Sequence, residues 1–575
     1  MKLIEISIQN FRGIQNLVLP LDDLTVLIGE NNTGKSTVLE SLKLVLTRGL
    51  GTRRGGQLSE YDFHMPNNAS TPQGAAPVNI KLHFAEKQVD EWPEAVTQQL
   101  SEVVQPDIVT GLNHVWIQVS GLYNQQAENF ETKWAFLNSA GAELVLRNST
   151  PLMILQRLVP VFFLSALRDA SQEFGQRGQF WSGFLKSIQL PEEDRVQLEQ
   201  TLQQINNTLI AANRGLTQVA QQIGNANRLV SLDSTNPVVL EAIPTRIFDM
   251  VGKIQVHLKS PLGAKLPLHK HGEGTQSLAV LLLFQAFTAT NLTESYDTDS
   301  TPILALEEPE AHLHPSAIRS LGQFLLGMTG QVVLTSHSGD LVSRVPVSSI
   351  RRLYKSGNDT KVGKIQPGQL TPRELQAIDY NIRLTRGAYL FSRCWLLVEG
   401  ESDFHIMPLI GEVLGCSQDE ISYSIIEISQ IIAKGEPIIK FAKAMGIQWI
   451  MLADGDAAGI DYTRRAANYL DAGEVPQSRF LNLNQRDIEH EFWHNGFDGF
   501  ITNFVSAREQ NAIRTQSAGN LAQEIKNMIT TAIACAGGKP AFAQALFAEI
   551  QQRGSASIPQ SIRDVFTRIA QLSGV

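Results

Sequence analysis

The fold is decided near the start of the chain by the stretch Leu24-Thr25-Val26-Leu27-Ile28-Gly29-Glu30-Asn31-Asn32-Thr33-Gly34-Lys35-Ser36. The first five residues form an apolar run of strand length, and the last eight match the pattern G-x-x-x-x-G-K-[ST]. Residues 36–47 then carry apolar side chains at helical spacing. A strand, a glycine-containing loop and a helix in this order bind phosphate, because loop N–H groups and the helix N-terminus attract the anion. The stretch predicts a nucleotide site in an α/β domain.

The loop residues have separate roles at this predicted site. Lys35 is expected on the β- and γ-phosphates and Ser36 on Mg²⁺. The nucleotide contacts are assigned to five residues: Asn32, Gly34, Lys35, Ser36 and Thr37. The alternative is a glycine-rich turn that binds nothing, which the flanking strand and helix disfavour.

Length and composition narrow the class of protein. At 575 residues the chain has room for about three to four domains. The apolar run 278–287 is too short to cross a bilayer, and the first residues alternate like a strand, unlike a secretory signal. We therefore expect a cytoplasmic protein without a membrane partner. Cys394, Cys416 and Cys535 are odd in number and widely spaced, so we expect buried thiols and neither disulfides nor a zinc site.

The formal net charge of −9 argues against a protein that coats nucleic acid nonspecifically, because such proteins carry a basic excess. A local basic groove remains compatible with this charge. Carboxylates that ligate metal ions also lower the formal charge, and they do not repel a phosphate substrate once the cations are bound.

A second apolar strand is expected at 303–306, and it ends at two acidic residues, Glu307 and Glu308. This is the layout of a Walker B strand, so Glu307 is assigned to Mg²⁺ and Glu308 to the attacking water. A third strand, 331–335, leads to His337, which could sense the γ-phosphate. Taken alone, His337 would be better explained as a structural histidine beside a strand. Its position after a Walker B strand favours the nucleotide role.

Residues 269–277 form a polar, glycine-containing segment that leads into an apolar helix. Ser277 and the glycine N–H groups at the helix N-terminus suit the γ-phosphate of an ATP held by a partner subunit. Alone, this motif is weak, because many loops are rich in glycine.

Together these motifs resemble the ABC-type ATPases of the SMC and RecF kind. The residues that carry the resemblance are Asn10-Phe11-Arg12-Gly13, the loop at Gly29, the Glu273 segment, residues 307–315 and His337. The resemblance implies two ATPase lobes, with Arg12 near the nucleotide. Between the lobes, Leu198, Leu202, Ile205 and Leu209 recur at helical spacing. We expect either a dimerising coiled-coil seam or an ordinary helix packed on its own lobe.

Acidic residues mark the ends of two further predicted strands. The run 394–398 ends at Glu399, and the run 449–453 ends at Asp454-Gly455-Asp456. Carboxylates that converge at strand ends repel one another unless cations neutralise them, so a metal site is the economical explanation.

This pairing resembles the Toprim domain of topoisomerases, primases and certain nucleases, and in particular the two-metal Toprim of OLD-family nucleases. The resemblance implies that Glu399, Asp454 and Asp456 surround one metal ion, while Asp403 and Glu489 help to hold a second. Lys539, after Gly537-Gly538, would steady the phosphate in the transition state. The alternatives are a surface lysine for Lys539 and a helix-start acid for Asp403; Glu401 and Asp487 are weaker candidates.

The order of segments resembles the OLD (overcoming lysogenisation defect) family, including the nuclease subunits of Gabija-type phage defence. Glu307 departs from the Walker B aspartate that is commoner in the family, which puts the Mg²⁺ geometry in doubt. We predict an α/β protein with an ABC ATPase N-terminal lobe (1–165), a helical insertion (166–235), an ATPase C-terminal lobe (236–385) and a C-terminal Toprim domain (390–575).

The expected function is an ATP-binding, Mg²⁺- or Mn²⁺-dependent DNA endonuclease with two metal ions, acting in phage defence as a dimer or higher oligomer. A helicase encoded nearby is a possible partner. The alternatives are a DNA repair or sensing clamp that cuts poorly, and a scaffold whose ATPase switches assembly with a helicase.

Overall fold

A computed structural model describes residues 1–46, 58–67, 70–126, 128–164, 191–212, 215, 218, 243–244, 257–259, 265–290, 299–311, 313–385, 387–429 and 435–574. The strands in chain order are β1 Leu3–Phe11, β2 Ile14–Pro20, β3 Leu24–Gly29, β4 Val78–Ala85, β5 Gln105–Pro106, β6 Asn113–Asn124, β7 Asn129–Leu137, β8 Val161–Leu164, β9 His257–Lys259, β10 Lys265–Pro267, β11 Ile303–Glu307, β12 Gln331–Thr335, β13 Ile350–Ser356, β14 Asp359–Gly363, β15 Cys394–Val398, β16 Tyr423–Glu427, β17 Gln448–Ala453 and β18 Phe480–Asn482.

Helices connect and cover these strands. Their bounds are Lys35–Leu46, Glu94–Gln99, Thr150–Leu158, Glu192–Ala211, Glu273–Thr290, Pro315–Leu326, Gly339–Val342, Pro372–Leu384, Glu401–Val413, Gln418–Ile421, Glu436–Ala444, Ala457–Ala466, Ile488–Phe492, Asp498–Thr502, Ala507–Gln516, Leu521–Cys535, Lys539–Arg553 and Gln560–Ser573. Within the described part of the chain, none of them is long and apolar enough to cross a membrane.

The predicted phosphate-loop strand lies inside a six-stranded sheet of order β14-β13-β3-β12-β11-β8. All neighbouring pairs are parallel except β13 with β14. Because β3, β11 and β12 are parallel neighbours, the loop after β3, the acids after β11 and the histidine after β12 meet at one edge of the sheet. A second, antiparallel sheet has the order β2-β1-β4-β6-β5, with β7 also paired to β6.

The C-terminal part is built on a four-stranded parallel sheet of order β16-β15-β17-β18. The central strands β15 and β17 are buried along almost their whole length, as expected for strands covered on both faces. Helices surround this sheet and continue to Ser573. The carboxyl ends of β15 and β17 are neighbours, so Glu399 and Asp454 follow adjacent strands.

The hydrophobic core joins the two parallel sheets. A single cluster of contacting buried side chains includes Val26 and Leu334 of the loop-bearing sheet, Trp395 and Trp449 of the C-terminal sheet, and Phe441 of helix Glu436–Ala444. Tightly packed interiors transmit displacements, so the two sheets are mechanically linked.

The predicted α/β architecture is confirmed: the sheet that carries the phosphate loop is followed by a second, four-stranded parallel sheet. The segment expected to dimerise contributes helix Glu192–Ala211, and the side chains of Leu198, Ile205 and Leu209 are exposed on it. Much of the rest of that insertion lies outside the described residues. The expectation of three buried thiols is wrong in part. Only Cys394 is buried, Cys416 is partly exposed, and Cys535 is exposed at the end of a helix.

Candidate functional site

The loop after β3 has the backbone of a phosphate-binding loop. Gly29, Asn32 and Gly34 have positive φ angles. Gly29 admits no side chain, because a Cβ there would lie 2.2 Å from the carbonyl oxygen of Leu353 on the neighbouring strand. The loop therefore turns tightly and exposes its N–H groups at the start of helix Lys35–Leu46, the end of a helix that attracts anions.

Lys35 is held against the loop. Its ammonium donates hydrogen bonds to the carbonyl oxygens of Gly29 at 2.8 Å and Glu30 at 2.7 Å. Burial lowers the pKa of Lys35, and the nearby carboxylates of Glu308 and Glu30 partly offset this effect. The ammonium of Lys35 can instead donate hydrogen bonds to phosphate oxygens, because charged phosphate oxygens are stronger acceptors than carbonyl oxygens. Asn32, Gly34, Ser36 and Thr37 belong to the same loop and first helical turn.

The acids after β11 face this loop. Glu307 ends β11, and Glu308 has a positive φ of 45°, a strained conformation for a residue with a side chain. The backbone N–H of Glu308 donates to Thr335 at the end of β12, which fixes the turn. The carboxylate of Glu308 lies 3.5 Å from Nε2 of His337. Burial lowers the pKa of His337, as does the charge of Lys35.

Glu310 positions the His337 segment and was not assigned a role from the sequence. Its Oε1 accepts hydrogen bonds from Ser336 Oγ and from the backbone N–H groups of His337 and Ser338, at 2.8, 2.8 and 3.2 Å. Burial raises the pKa of Glu310. One carboxylate therefore gathers three donors and holds the histidine at the edge of the sheet beside Glu308.

Two predicted nucleotide residues stand apart from this group. Arg12 lies in the turn between β1 and β2, and its Nε donates to Asp62 at 2.9 Å. The adjacent Gly13 approaches the side chain of Asn32, so the turn is next to the loop although the guanidinium is engaged by Asp62. Ser277 lies in the second turn of helix Glu273–Thr290, and its side chain is outside what the structure describes.

The second set of predicted residues gathers at the ends of β15 and β17. Glu399 Oε2 accepts a hydrogen bond from the backbone N–H of Asp454 at 3.4 Å, which brings the two strand tips together. Gly455 packs against the segment after β18, where a Cβ would lie 2.3 Å from the carbonyl oxygen of Gln485. Because Gly455 has no side chain, the backbone between Asp454 and Asp456 can pack closely against Gln485.

Buried carboxylates extend the site. Asp403 is almost fully buried in helix Glu401–Val413; its Oδ2 accepts from the N–H of Gly400, and Oδ1 has no hydrogen-bond partner among the described residues. Burial, followed by the charge of Glu489, raises the pKa of Asp403 to about 7. Burial and the charge of Asp403 raise the pKa of Asp454 to about 8. Glu489 accepts a hydrogen bond from Ser402 at 2.6 Å, and burial also raises its pKa.

Asp456 has a different local role from that of Asp454. Its Oδ1 accepts from the backbone N–H groups of Ala458 and Gly459, so it caps helix Ala457–Ala466. Within the described residues, no three His, Cys, Asp or Glu side chains are arranged as a ready-made metal cluster. Asp456, Glu489 and Asp403 each direct an oxygen to a neighbouring N–H or hydroxyl donor.

Several of these side chains line one cleft of about 330 Å³. Its acidic lining comprises Asp403, Asp454, Asp487 and Glu489, and its cationic lining comprises Arg486, Lys526 and Lys539. Of the predicted residues, Asp403, Asp454, Glu489 and Lys539 line this cleft, whereas Glu399 and Asp456 are not among its lining residues. Sequence reasoning missed Lys526, Arg486 and His490, which belong to no motif that marks them.

Asp487 and His490 form a pair at the rim of the cleft. Oδ1 of Asp487 lies 2.5 Å from Nδ1 of His490 and also accepts from its backbone N–H. Burial opposes ionisation of Asp487, but the hydrogen bonds from His490 outweigh it and hold the pKa of Asp487 below its ordinary value. Asp487 therefore carries its negative charge on the same cleft as Glu489.

An ion pair connects the phosphate loop to the start of strand β15. Arg393, immediately before β15, donates from Nε and Nη2 to the two oxygens of Glu30 in the phosphate loop, at 2.6 and 2.8 Å. These hydrogen bonds lower the pKa of Glu30. Nearby, the buried Arg352 of β13 donates to the carbonyl oxygens of Gly446 and Ser392 at 3.1 and 3.0 Å.

The fold and the two sites define a P-loop, ABC-type ATPase domain joined to a Toprim domain. The family described as "Protein of unknown function (DUF2813)" matches residues 1–388, and the family described as "Overcoming lysogenization defect protein-like, TOPRIM domain" matches residues 390–456. The chain therefore belongs to the DUF2813 family, and its residues 390–456 match the OLD-like Toprim domain.

Individual proteins are similar over much of the chain. The protein YbjD of Escherichia coli is 26% identical over 592 aligned residues, covering 100% of this chain and 99% of the relative. The Old nuclease of Escherichia phage P2 is 22% identical and covers 79% of this chain and 77% of the relative. Among solved structures, an SMC head domain from Thermotoga maritima is 13% identical with a TM-score of 0.32, covering 64% of this chain and 100% of that domain.

Proposed function

We propose that the chain is an ATP-binding, divalent-metal-dependent DNA endonuclease that hydrolyses phosphodiester bonds at the Toprim cleft. The observation that carries this proposal is the cleft itself, in which buried carboxylates share one small space with lysines. The similarity to a phage P2 protein named Old nuclease supports the same reaction class.

The residues of the cleft fit divalent cations. Asp403 presents a buried oxygen with no partner in the described part of the chain, and burial together with neighbouring charge raises the pKa of both Asp403 and Asp454. A cation would relieve that repulsion, and oxygen donors suit Mg²⁺ or Mn²⁺. Glu399, Asp454 and Asp456 would hold one ion and Asp403 and Glu489 a second. Bound there, such ions would activate water and stabilise charge on the attacking and leaving oxygens.

The protein's own groups would orient the substrate in this reaction. Lys539 begins helix Lys539–Arg553 and lines the cleft near Glu489. Its ammonium is suited to a non-bridging oxygen of the scissile phosphate, where negative charge increases in the transition state. Ser402 fixes the carboxylate of Glu489, and the contact of Glu399 with the N–H of Asp454 fixes the tips of the two strands.

The ATPase half is proposed to bind ATP and to control access to the cleft. Lys35, with Asn32, Gly34, Ser36 and Thr37, would hold the phosphates. Ser36 and Glu307 would hold Mg²⁺, Glu308 would polarise water, and His337 would contact the γ-phosphate. Arg12 and the Ser277 segment would complete the site, Ser277 from a partner subunit, so at least a dimer is required. A cytoplasmic role in phage defence, with or without a helicase, is part of this proposal.

Cleavage of supercoiled plasmid tests the proposal. Wild type is expected to nick or cut DNA with Mg²⁺ or Mn²⁺, whereas Asp454→Asn is expected to be inactive with its fold intact by circular dichroism. Lys35→Ala should retain the chemistry and lose its response to ATP. Uncut plasmid under every metal and nucleotide condition, alongside measurable ATP hydrolysis, would refute the nuclease and favour a DNA-sensing clamp or a helicase scaffold.

A further inference from the structure

One face of helix Leu521–Cys535 forms a wall of the Toprim cleft. Lys526, Ile529, Thr530 and Ile533 all line it, and their spacing places them on one side of the helix. Thr530 donates its hydroxyl to the carbonyl oxygen of Lys526 at 2.8 Å, as is common within a helix. The wall is apolar at its centre and ends in a lysine.

Lys526 is exposed and has no ion-pair partner among the described residues. The helix gives it none, because the residues three and four positions away are Ala522, Gln523, Ile529 and Thr530. Some other cations of this domain are paired at close range, such as Arg479 with Glu474 at 2.7 Å and Arg553 with Glu549 at 2.7 Å. An unpaired ammonium on the wall of an acidic cleft is therefore available to a phosphate.

The position of Lys526 differs from that of Lys539. Lys526 lies nine residues before the end of its helix at Cys535, which corresponds to about 14 Å at a rise of about 1.5 Å per residue. Lys539 begins the next helix just beyond that end. Both lysines line the same cleft from different helices, so they are placed to contact different phosphates of the substrate.

We propose that Lys526 is a substrate-binding residue that holds a backbone phosphate other than the scissile one. The inference rests on the proposed endonuclease function and adds the part of the substrate that the Lys526 helix contacts. Because a phosphate carries no base information, this contact raises affinity for DNA of any sequence.

Steady-state cleavage of labelled duplexes by wild type, Lys526→Ala and Lys526→Arg tests this inference. Arg508→Ala is the matched control, since Arg508 is an exposed helical cation that does not line the cleft. For Lys526→Ala we expect KM to rise about 5- to 30-fold with kcat within about twofold of wild type, and the slope of log affinity against log salt to fall by about one. Lys526→Arg should remain close to wild type.

Substrate length provides a second test. Duplexes that are shortened stepwise on either side of the cut eventually lack the contacted phosphate, and wild type and Lys526→Ala should then cleave them equally. Equal behaviour of Lys526→Ala and Arg508→Ala on long duplexes would overturn the inference, as would a fall in kcat with KM unchanged.

DNA binding separates failure of this inference from failure of the proposed function. Fluorescence anisotropy with Asp454→Asn, with and without Lys526→Ala, measures affinity where no cutting occurs. If wild type and Lys526→Ala cleave DNA equally well, only the inference about Lys526 is refuted. If no DNA is cleaved but Lys526→Ala lowers the affinity for DNA, the endonuclease function is refuted and the phosphate contact is supported. If the protein neither cleaves nor binds DNA, both proposals are refuted.

Discussion

The ion pair between Glu30 and Arg393 leads to a quantitative prediction. We expect Glu30→Gln, Arg393→Gln and the double variant to form a double-mutant cycle with a favourable coupling energy between the two side chains. The cycle is needed because Arg393 also donates to the carbonyl oxygen of Ser573, a contact that a single variant would remove as well. That loss cancels when the double variant is compared with the two single variants.

The geometry sets the size of the coupling. Two parallel charge-assisted hydrogen bonds of 2.6 and 2.8 Å are near the strong end of such contacts. However, the side chains of Arg393 and Glu30 are 41% and 37% exposed, so water and salt weaken the attraction. We expect about 1 kcal/mol at low ionic strength, close to the upper end for exposed pairs.

Urea unfolding followed by tryptophan fluorescence measures this energy. Trp395 and Trp449 lie in the core cluster that the two parallel sheets share, so their signal should report the unfolding that breaks the ion pair. Coincident transitions by fluorescence and circular dichroism would justify a single free energy of unfolding. The thermal midpoint should fall by about 2 °C or less in a chain of this size.

The dependence on pH and salt gives this prediction its sharpest test. The folded pKa of Glu30 lies below its ordinary value of 4.5, so the coupling is present above that pH and is lost as the pH falls through the folded pKa. It should be equal at pH 6 and pH 7 and weaker in about 0.5 M salt. A coupling energy within about 0.3 kcal/mol of zero at low salt, or one that grows with salt, would refute the reasoning.

Four further predictions concern single side chains. Lys35→Ala should weaken ATP binding at least about tenfold in a titration with a fluorescent analogue, because the ammonium that holds the phosphates is lost. Asp454→Asn should raise the thermal midpoint of the metal-free protein at neutral pH, because the pKa of Asp454 is raised to about 8 and folding must therefore protonate this carboxylate, a cost that Asn removes; it should also lower cleavage about 10²-fold or more. Gly455→Ala should reduce cleavage with little change in ATP affinity, because its Cβ would collide with Gln485. Arg352→Leu should destabilise the protein by about 3 kcal/mol in urea, since carbonyl oxygens of the buried interface lose their donor.

The elements of both sites could be predicted from the sequence because each one is encoded locally. A buried strand, a glycine-containing loop and an apolar helix occupy consecutive residues from Leu24 to Leu46. The two strands that carry Glu399 and Asp454 are likewise short apolar runs with acids directly after them. The periodicity of the chain therefore reveals such elements without knowledge of the tertiary fold.

Contacts between residues that are far apart in the sequence could not be predicted from these local patterns. Glu30 and Arg393 are separated by 363 residues. Glu30 occupies a variable position of the loop pattern, and Arg393 lies just outside the predicted strand. Lys526 lies within a helix that contains no recognisable motif. Its position on the cleft depends on how that helix packs in the tertiary structure. The role of Asp456 as a helix cap also depends on the turn that follows it, which competes with metal ligation for the same carboxylate.

Strand β15 limits the ways in which ATP can influence cleavage. Arg393 precedes β15 and Glu399 follows it, so six residue steps, or about 20 Å of extended chain, separate the phosphate loop contact from the carboxylates. At an effective dielectric constant of about 20, two unit charges about 20 Å apart interact by less than about 1 kcal/mol, so the charge of ATP has only a weak direct effect on the Toprim carboxylates. A nucleotide effect on cleavage must therefore be transmitted by movement of β15 and the shared core, or by a change in subunit arrangement. In the first case Arg393→Gln abolishes the effect in a preparation of unchanged oligomeric state, and in the second it leaves the effect intact.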